Sequence, residues 1–358
     1  YDRCCAEVRA NGLRVRSAGG LPLTTTTGQH NDDNVSTPNS KDDLLTMTRA
    51  LAHPNIALVK YWGKRDKVGN IPATPNLSIT LSELSAVTTI SDSESYQFRL
   101  NGEQVDDQKV GTLIAAMTAR FNLPPLRVDS TNNFPTSAGL ASSAAGFAAL
   151  VTGINAHCKL GMDSALRSEW ARRGSASAAR SICGGFVALV PPDWHAQCLA
   201  PAQHWPLEVV IAITRHGPKH VSSTEGMERS RATSPFYNQW LHSADSDYAE
   251  ASVAIAERDF EKLAAVAELS CLKMHSLMLT SRPALSYWTP ASVACMDRIR
   301  ELRSQGEAVF FTVDAGPQIK AVCLPESRAA VAQALSDVPG VLEILHCPLG
   351  EGARVIDD

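Results

Sequence analysis

In the first half of the chain, some segments space their hydrophobic residues as strands do, two residues apart, and others space them as helices do, three or four residues apart. The apolar runs that predict strands are residues 77–81, 86–90, 96–100, 126–129, 186–190 and 207–214. Asn101-Gly102, directly after one of these runs, predicts a hairpin turn. Apolar residues from Val110 to Phe121 recur instead at helical spacing, and Asp163 is placed to cap a helix that ends at Gly174.

The second half is more helical. Apolar side chains from Phe260 to Met278 line one face of a long helix, and Thr289-Pro290 predicts the start of another. The elements predicted after it are strands over 308–313 and 319–324, a helix over 326–335 and a last strand over 341–346. Helix, hairpin, helix and strand in this order are typical of a split βαβ, ferredoxin-like domain. We therefore predict an α+β chain of two domains, 48–215 and 216–358.

Residues 1–46 have a different composition from the rest. Thr24 to Thr27 form a homopolymer, residues 30–43 are almost wholly polar, and no hydrophobic period is visible. The segment also lacks the long apolar core of a signal peptide. We predict that residues 1–47 are a disordered or non-native extension, with Met47 as a sensible natural start.

Composition narrows the class of protein. With 358 residues, 44% of them hydrophobic, the chain can bury a large core. A formal net charge of -4 argues against nucleic-acid binding, and no apolar run is long enough for a membrane span. The nine cysteines are odd in number and contain no Cys-x-x-Cys pair, which is typical of reduced thiols. We expect a cytoplasmic protein without nucleic-acid or membrane partners.

A loop of small residues joins the strand at 126–129 to an apolar helix. Gly139, with alanines nearby, lets a ligand approach the backbone, and the free amides and positive dipole at a helix N-terminus favour a phosphate. Ser142 and Ser143 could reach a phosphate oxygen or a magnesium ion from the first turn. A plain buried helix with a serine cap remains the alternative at this point. The loop is not a Walker motif, because no Gly-Lys-Ser/Thr follows at the required spacing.

Four stretches of the chain together resemble the GHMP kinase superfamily and, within it, the mevalonate diphosphate decarboxylases. They are residues 55–66, 132–146, 173–181 with 184–187, and 314–317. The Pro-x-x-x-Gly-Leu-x-Ser-Ser-Ala core alone indicates only the superfamily; Lys-Tyr-Trp-Gly-Lys before it and Asp-Ala-Gly-Pro after it make the resemblance specific. It implies a two-domain GHMP kinase fold, with a ribosomal protein S5 domain 2-like N-terminal half, a ferredoxin-like C-terminal half, and a homodimer.

The resemblance also implies a reaction, the ATP-dependent decarboxylation of mevalonate 5-diphosphate to isopentenyl diphosphate, ADP, phosphate and CO2. This is a step of the mevalonate pathway of isoprenoid biosynthesis. Because a tertiary hydroxyl is a poor leaving group, ATP with Mg2+ first converts it to a phosphate ester. Loss of that phosphate leaves cationic character beta to the carboxylate, and CO2 departs as its electrons form the alkene. Such a site needs a carboxylate near the hydroxyl, cations for the substrate and a phosphate cradle.

The same resemblance implies roles for individual residues. Asp314 orients or deprotonates the hydroxyl, Lys60 keeps Asp314 ionised, and Arg180 holds the C1 carboxylate of the substrate. Asn55 supports Asp314 and the substrate. Further residues expected to contact substrate are Tyr61, Lys64, Ser175, Ser177, Ser222, Ser223 and Met227, the last three as a wall that closes over the ligand. Those expected at the ATP phosphates, with Mg2+ bridging phosphate oxygens within reach of Ser143, are Pro135, Ser137, Ala138, Gly139, Leu140, Ala141, Ser142 and Ser143.

Three segments depart from the family pattern. Residues 71–76 lack the usual Asn-Ser-Ser, Ala176 and Ala179 stand in the usual Gly-Ser-Gly-Ser-Ala-Cys-Arg, and Gln318 replaces an asparagine. These departures leave substrate length open, so a phosphomevalonate decarboxylase giving isopentenyl phosphate is the alternative. A mevalonate 3-kinase or a non-catalytic relative is disfavoured, because both Lys60 and Asp314 are present.

Overall fold

The structure is a computed structural model that describes residues 47–134, 140–217 and 219–357. Of the predicted extension over residues 1–47, residues 1–46 lie outside the described residues, whereas Met47 is the first residue of a strand. Four of the residues expected at the ATP phosphates also lie outside the described residues; these are Pro135, Ser137, Ala138 and Gly139. Leu140 to Ser143 are described.

Sixteen strands and nine α-helices lie within the described ranges. The strands are β1 (Met47–Ala52), β2 (Asn55–Val59), β3 (Lys64–Asp66), β4 (Ile71–Pro72), β5 (Asn76–Thr80), β6 (Ala86–Asp92), β7 (Gln97–Leu100), β8 (Glu103–Gln104), β9 (Leu126–Asn132), β10 (Phe186–Leu189), β11 (Ala196–Ala200), β12 (Glu208–Ile213), β13 (Val309–Thr312), β14 (Ile319–Cys323), β15 (Glu343–Pro348) and β16 (Arg354–Ile356). The helices are α1 (Gln108–Phe121), α2 (Ser142–His157), α3 (Ser164–Gly174), α4 (Ala178–Ser181), α5 (Ser223–Thr233), α6 (Tyr237–Glu257), α7 (Phe260–Leu279), α8 (Pro290–Ser304) and α9 (Arg328–Ser336).

The N-terminal part is built on two sheets. One has the order β16-β1-β6-β9-β7-β8 and the other the order β11-β10-β5-β2. Helix α2 packs on the first sheet, and its buried face includes Phe147, Leu150 and Ile154. The predicted hairpin turn is confirmed between β7 and β8, where Asn101 and Gly102 both have positive φ. The predicted Asp163 cap of α3 is confirmed as well, because its carboxylate accepts from the backbone N–H of Leu166.

The C-terminal sheet has the order β13-β14-β12-β15, and all its strand pairs are antiparallel. In sequence order this is the 4-1-3-2 arrangement of a ferredoxin-like fold, with α8 before β13 and α9 between β14 and β15. Apolar residues on one face pack with α8 and α9, whereas Phe310 and Val322 on the other face join the core that includes α7. The predicted α+β class with a ferredoxin-like second half is confirmed.

Two strands belong to a different sheet from the one that their sequence position suggests. We predicted a domain boundary after Thr214, but β12 pairs with β14 and β15 of the C-terminal sheet. β16, near the end of the chain, returns to pair with β1. An apolar run predicts that a strand is buried but not which partner it pairs with, so sequence order misplaced β12, and β16 was not predicted at all.

Helix content was underestimated around residue 220. Residues 220–227 were predicted as a polar loop, yet α5 begins at Ser223, with Ser222 as its N-cap. The Ser222 hydroxyl accepts from the backbone N–H of Glu225. This side-chain cap stabilises the start of the helix, where the polar sequence had suggested a loop. In the part of the chain that the structure describes, no helix combines the length and hydrophobicity needed to cross a bilayer.

Candidate active site

Lys60 and Asp314 form a partly buried ion pair at the ends of two fully buried strands. Lys60 follows β2 and Asp314 lies just beyond β13, and Nζ of Lys60 is 2.6 Å from Oδ1 of Asp314. The lysine side chain is 1% exposed and the aspartate side chain 27%. A second lysine, Lys320 on β14, places its Nζ 3.3 Å from Oδ2. Burial raises the pKa of Asp314, but attraction to Lys60 and Lys320 outweighs it and holds the pKa below the usual aspartate value.

Helix α7 holds the backbone on both sides of this ion pair. The backbone N–H of Lys60 donates to Oγ of Ser270 at 2.9 Å. His275 Nε2 lies 3.1 Å from the carbonyl oxygen of Val313, and the N–H of Val313 contacts Sγ of Cys271 at 3.2 Å. Burial lowers the pKa of His275 to about 3, so a neutral imidazole donates its Nε2–H to that carbonyl. Three α7 side chains thus fix the position of the Lys60 backbone relative to that of Asp314.

Arg180 is buried in a clamp of polar side chains. Its Nε donates to Oγ of Ser78 at 2.9 Å, one terminal nitrogen donates to Oδ1 of Asn76, and the other donates to Oδ1 of Asn55 at 3.0 Å. The amide of Asn55 in turn donates to the carbonyl of Ser177 and the hydroxyl of Ser181. Burial lowers the pKa of Arg180 to about 10, with Asp314 and Tyr61 opposing that shift. A charged guanidinium is therefore fixed near Asp314.

Tyr61 lies in the short segment between β2 and β3, and Lys64 is the first residue of β3. The Tyr61 hydroxyl is buried and has no hydrogen-bond partner among the described residues, and burial raises the pKa of this phenol. A buried hydroxyl without a protein partner is available to hydrogen-bond a ligand group or a water molecule. Lys64 is half-buried; burial, with repulsion from Lys109, lowers its pKa.

A line of hydroxyls joins α2 to the segment before α4. Oγ of Ser143 lies 3.4 Å from Oγ of Ser175, which lies 3.2 Å from Oγ of Ser177. A cavity of about 240 Å³ lies against the same end of α2, and Ser142, Ser143 and Gly146 contribute to its lining. Ala141 precedes the helix in a left-handed conformation with φ of 57°, without a side-chain cap. The buried Leu140 side chain packs into the core, so any ligand contact there comes from its backbone.

The segment before α5 brings another lysine to the site. Nζ of Lys219 donates to Oγ of Ser223 at 2.7 Å and to the carbonyl oxygen of Ala315, next to Asp314, at 2.9 Å. Burial lowers the pKa of Lys219 to about 8, partly offset by attraction to Asp314. Met227 points into a buried cluster with Trp62 and Met274. Ser223 and Met227 therefore lie on a packed helix, with Ser222 as its cap.

Two of the three departures from the family pattern are explained by packing. The side chain of Ala179 packs against Leu189 and Trp194. Gln318 is fully buried; its Oε1 accepts from the N–H of Thr214 and its Nε2 donates to the carbonyl of Arg215. It therefore ties the segment that carries Lys219 to the strand after Asp314. In the remaining departure, which is the segment 71–76, Asn76 belongs to the Arg180 clamp.

Sequence reasoning missed four residues of this site, which are Asn76, Ser78, Lys219 and Lys320. Asn76 and Ser78 lie in β5, whose five residues are all buried, and Lys320 is the single charge in the fully buried β14. A polar or charged residue inside a buried strand needs a partner, and this was the available signal. Within the described ranges, no three His, Cys, Asp or Glu side chains are grouped as metal ligands.

The fold and this site define the class. A ferredoxin-like C-terminal half, together with a helix N-terminus beside a cavity that Ser142 and Ser143 help to line, fits the GHMP kinase superfamily. Within it, the chain belongs to the diphosphomevalonate decarboxylase family. Residues 52–200 match the diphosphomevalonate decarboxylase-like N-terminal domain, and residues 209–345 match the mevalonate 5-diphosphate decarboxylase C-terminal domain.

Individual relatives agree with this assignment. The diphosphomevalonate decarboxylase of Candida albicans is 38% identical over 290 residues, which cover 74% of this chain and 80% of that protein. The solved complex of MDDEF with MVAPP, AMPPCP and magnesium is 33% identical, with a TM-score of 0.81 over 87% of this chain and 99% of that one. The mevalonate diphosphate decarboxylase of Staphylococcus aureus is 32% identical, with a TM-score of 0.81 over 88% of this chain and 99% of that one.

Proposed function

We propose that this chain catalyses the ATP-dependent decarboxylation of mevalonate 5-diphosphate to isopentenyl diphosphate, ADP, phosphate and CO2. The observation that carries the proposal is the Lys60–Asp314 pair, with Arg180 and Lys219 close by. One carboxylate surrounded by several cations suits a polyanionic substrate with a hydroxyl to be phosphorylated. MDDEF, which shares the fold, binds MVAPP together with an ATP analogue.

Asp314 acts on the substrate hydroxyl. Because its pKa is held low, it is ionised at neutral pH and accepts a hydrogen bond from the 3-hydroxyl, which it orients for attack on the γ-phosphate. The proton passes to the carboxylate late, as phosphoryl transfer lowers the basicity of the hydroxyl oxygen. Lys60 stays on Oδ1 and balances the charge that moves onto the new phosphate ester.

Arg180 holds the carboxylate that is lost as CO2. A guanidinium has five N–H groups, and Ser78, Asn76 and Asn55 each accept from one nitrogen of Arg180. The remaining N–H groups face the substrate carboxylate and keep it in line with the breaking bond. The orphan hydroxyl of Tyr61, with Lys64, Ser175 and Ser177, contacts the rest of the substrate.

The end of α2 fits a nucleotide. Ser142 and Ser143 in its first turn and the cavity beside them place hydroxyls, free amides and the positive helix end together. ATP binds there as the phosphoryl donor. A magnesium ion on the phosphate oxygens, within reach of the Ser143 hydroxyl, would neutralise their charge.

We also propose two domains, with a boundary between β11 and β12 rather than after Thr214. The two family models leave only residues 201–208 between them, and β12 pairs within the C-terminal sheet. The active enzyme is a cytoplasmic homodimer, as the family resemblance implies. Light scattering of the purified chain, whose monomer mass is 38.4 kDa, tests the dimer directly.

The test of the proposed function is ADP release with ATP and magnesium from three candidate substrates, with the organic product identified. Preferential turnover of mevalonate 5-diphosphate to isopentenyl diphosphate is expected. Turnover restricted to the monophosphate, giving isopentenyl phosphate, would replace the proposal by the phosphomevalonate alternative. ADP without loss of CO2 would make the protein a 3-kinase, and no ADP with any of the three would make it a non-catalytic relative.

A further inference from the structure

Each oxygen of the Asp314 carboxylate has its own buried cation. Lys60 lies 2.6 Å from Oδ1 and Lys320 lies 3.3 Å from Oδ2, and both lysine side chains are 1% exposed. The two lysines come from different directions, because Lys60 follows β2 whereas Lys320 lies within β14. The carboxylate is therefore held through both of its oxygens.

Stability alone favours an apolar residue at position 320. The cross-strand neighbours of Lys320 are Thr312 and Ile211, and Ile211 belongs to the hydrophobic core together with Val322, two residues along the same face of β14. An ammonium in this position loses its hydration, and burial lowers the pKa of Lys320. A buried ion pair is often no more stable than a well-packed apolar replacement. The lysine contributes a direct contact with Asp314.

We propose that Lys320 is a positioning residue of the reaction, which acts by fixing the Asp314 carboxylate through Oδ2. This inference rests on the function proposed above. The terminal torsion of an aspartate is soft, so Lys60 alone leaves the plane of the carboxylate free to turn. With Oδ2 held by Lys320, the carboxylate keeps one orientation toward the substrate hydroxyl, and small misplacements of such a group are costly in rate.

Lys320 also keeps Asp314 ionised when an anionic substrate arrives. The charged and titratable groups around Lys320 are Asp314, Lys60, Cys271, His275 and Lys219. Within the described structure, Lys60 and Lys320 are the two of these groups that contact the Asp314 carboxylate directly. Removing Lys320 therefore raises the pKa of Asp314. Since the aspartate works as a carboxylate, activity is lost as pH falls through that pKa, and the acid limb of the kcat profile moves to higher pH.

The experiment compares Lys320→Met with Lys262→Met, which removes a partly exposed charge from α7 away from the site. We would measure kcat and KM for mevalonate 5-diphosphate and ATP between pH 5 and 9, together with the midpoint of thermal unfolding. Lys320→Met is expected to lower kcat by about 100-fold and to make kcat fall further toward pH 5, a fall that the wild-type enzyme does not show because its Asp314 pKa lies below this range. Both KM values should stay within about threefold and the midpoint should not fall, because the apolar side chain fills the same volume. Lys320→Arg, which keeps the charge, should recover part of kcat.

Three outcomes would overturn the inference. A Lys320→Met enzyme with wild-type kcat and no fall in kcat toward pH 5 would show that Lys60 suffices. A variant that fails to fold would assign Lys320 to stability. Wild-type enzyme that does not turn over mevalonate 5-diphosphate would remove the proposed function and this role with it, whereas the first two outcomes leave the proposed function standing.

Discussion

The ammonium of Lys60 lies 2.6 Å from the carboxylate of Asp314, although 254 residues separate them in sequence. The two side chains come from different sheets, and α7 fixes the backbone at both through Ser270 and His275. The ion pair therefore forms only when β2, β13 and α7 are packed together. Its geometry ties catalysis to the packing of both halves of the chain.

The Arg180 clamp predicts a defect limited to one substrate. In Asn76→Ala the guanidinium loses one acceptor and its orientation loosens. Because a hydrogen bond to a charged group contributes about 1.5–3 kcal/mol, KM for mevalonate 5-diphosphate should rise roughly 10-fold or more, with KM for ATP unchanged. Arg180→Gln should be more severe. Steady-state kinetics on both substrates is the check, and Asn238→Ala, on the exposed side of α6, is the matched control.

An Asn76→Ala enzyme with wild-type KM for mevalonate 5-diphosphate would mean that the clamp does not set the carboxylate site. An equal rise in both KM values would point instead to a general loss of structure.

Lys219 predicts a basic limb in the pH profile. Its pKa is lowered to about 8 by burial, so the ammonium is present below that pH and lost above it. If this cation binds an anionic substrate, kcat/KM of the wild-type enzyme falls as pH rises through about 8. Lys219→Met should have a low kcat/KM at all pH values and should lack this basic limb. The Lys262→Met enzyme should retain it, and persistence of the limb in Lys219→Met would exclude Lys219 as its source.

His275 predicts a specific dependence of stability on acid. The pKa of the buried imidazole is lowered to about 3, below its unfolded value near 6.5. Between these values the unfolded chain binds a proton that the folded protein excludes, so the free energy of unfolding falls as pH falls from about 6.5. The histidine contributes up to about 1.4 kcal/mol per pH unit to that slope.

Urea unfolding between pH 6.5 and 4.5 measures this slope in wild type and in His275→Gln. The variant should be less stable at pH 7 but show a shallower decline with acid. His242→Gln, at an exposed position on α6, should keep the wild-type slope. Equal slopes in wild type and His275→Gln would contradict a neutral buried His275.

Local patterns predicted much of the fold. The order of helix, hairpin, helix and strand predicted the ferredoxin-like class and three of the four strands of its sheet, and side-chain caps located α3 and α8. Helix α6 was not predicted, because the buried stripe of Tyr237, Trp240, Ala244 and Ala251 is diluted by small and polar residues. The partners of β12 and β16 depend on contacts distant in sequence, which no local period encodes.

The site was less accessible from sequence than the fold. Lys60, Arg180 and Asp314 were identified through a family resemblance, since a single lysine, arginine or aspartate carries no local signal of its role. Lys320 was overlooked because the strand around it was predicted only as a buried, returning strand. Its importance depends on where the Asp314 carboxylate lies, and only the folded structure brings the two together.

The most direct test of the account is the ratio of CO2 to ADP released from mevalonate 5-diphosphate labelled at C1, in wild type and in Asp314→Asn. The wild-type enzyme should release one CO2 for each ADP. Asp314→Asn should lose both products together, by at least about 100-fold, while it still binds an ATP analogue. Near-normal release of ADP and CO2 by Asp314→Asn, or ADP without CO2 from the wild type, would contradict the central role of the Lys60–Asp314 pair in decarboxylation.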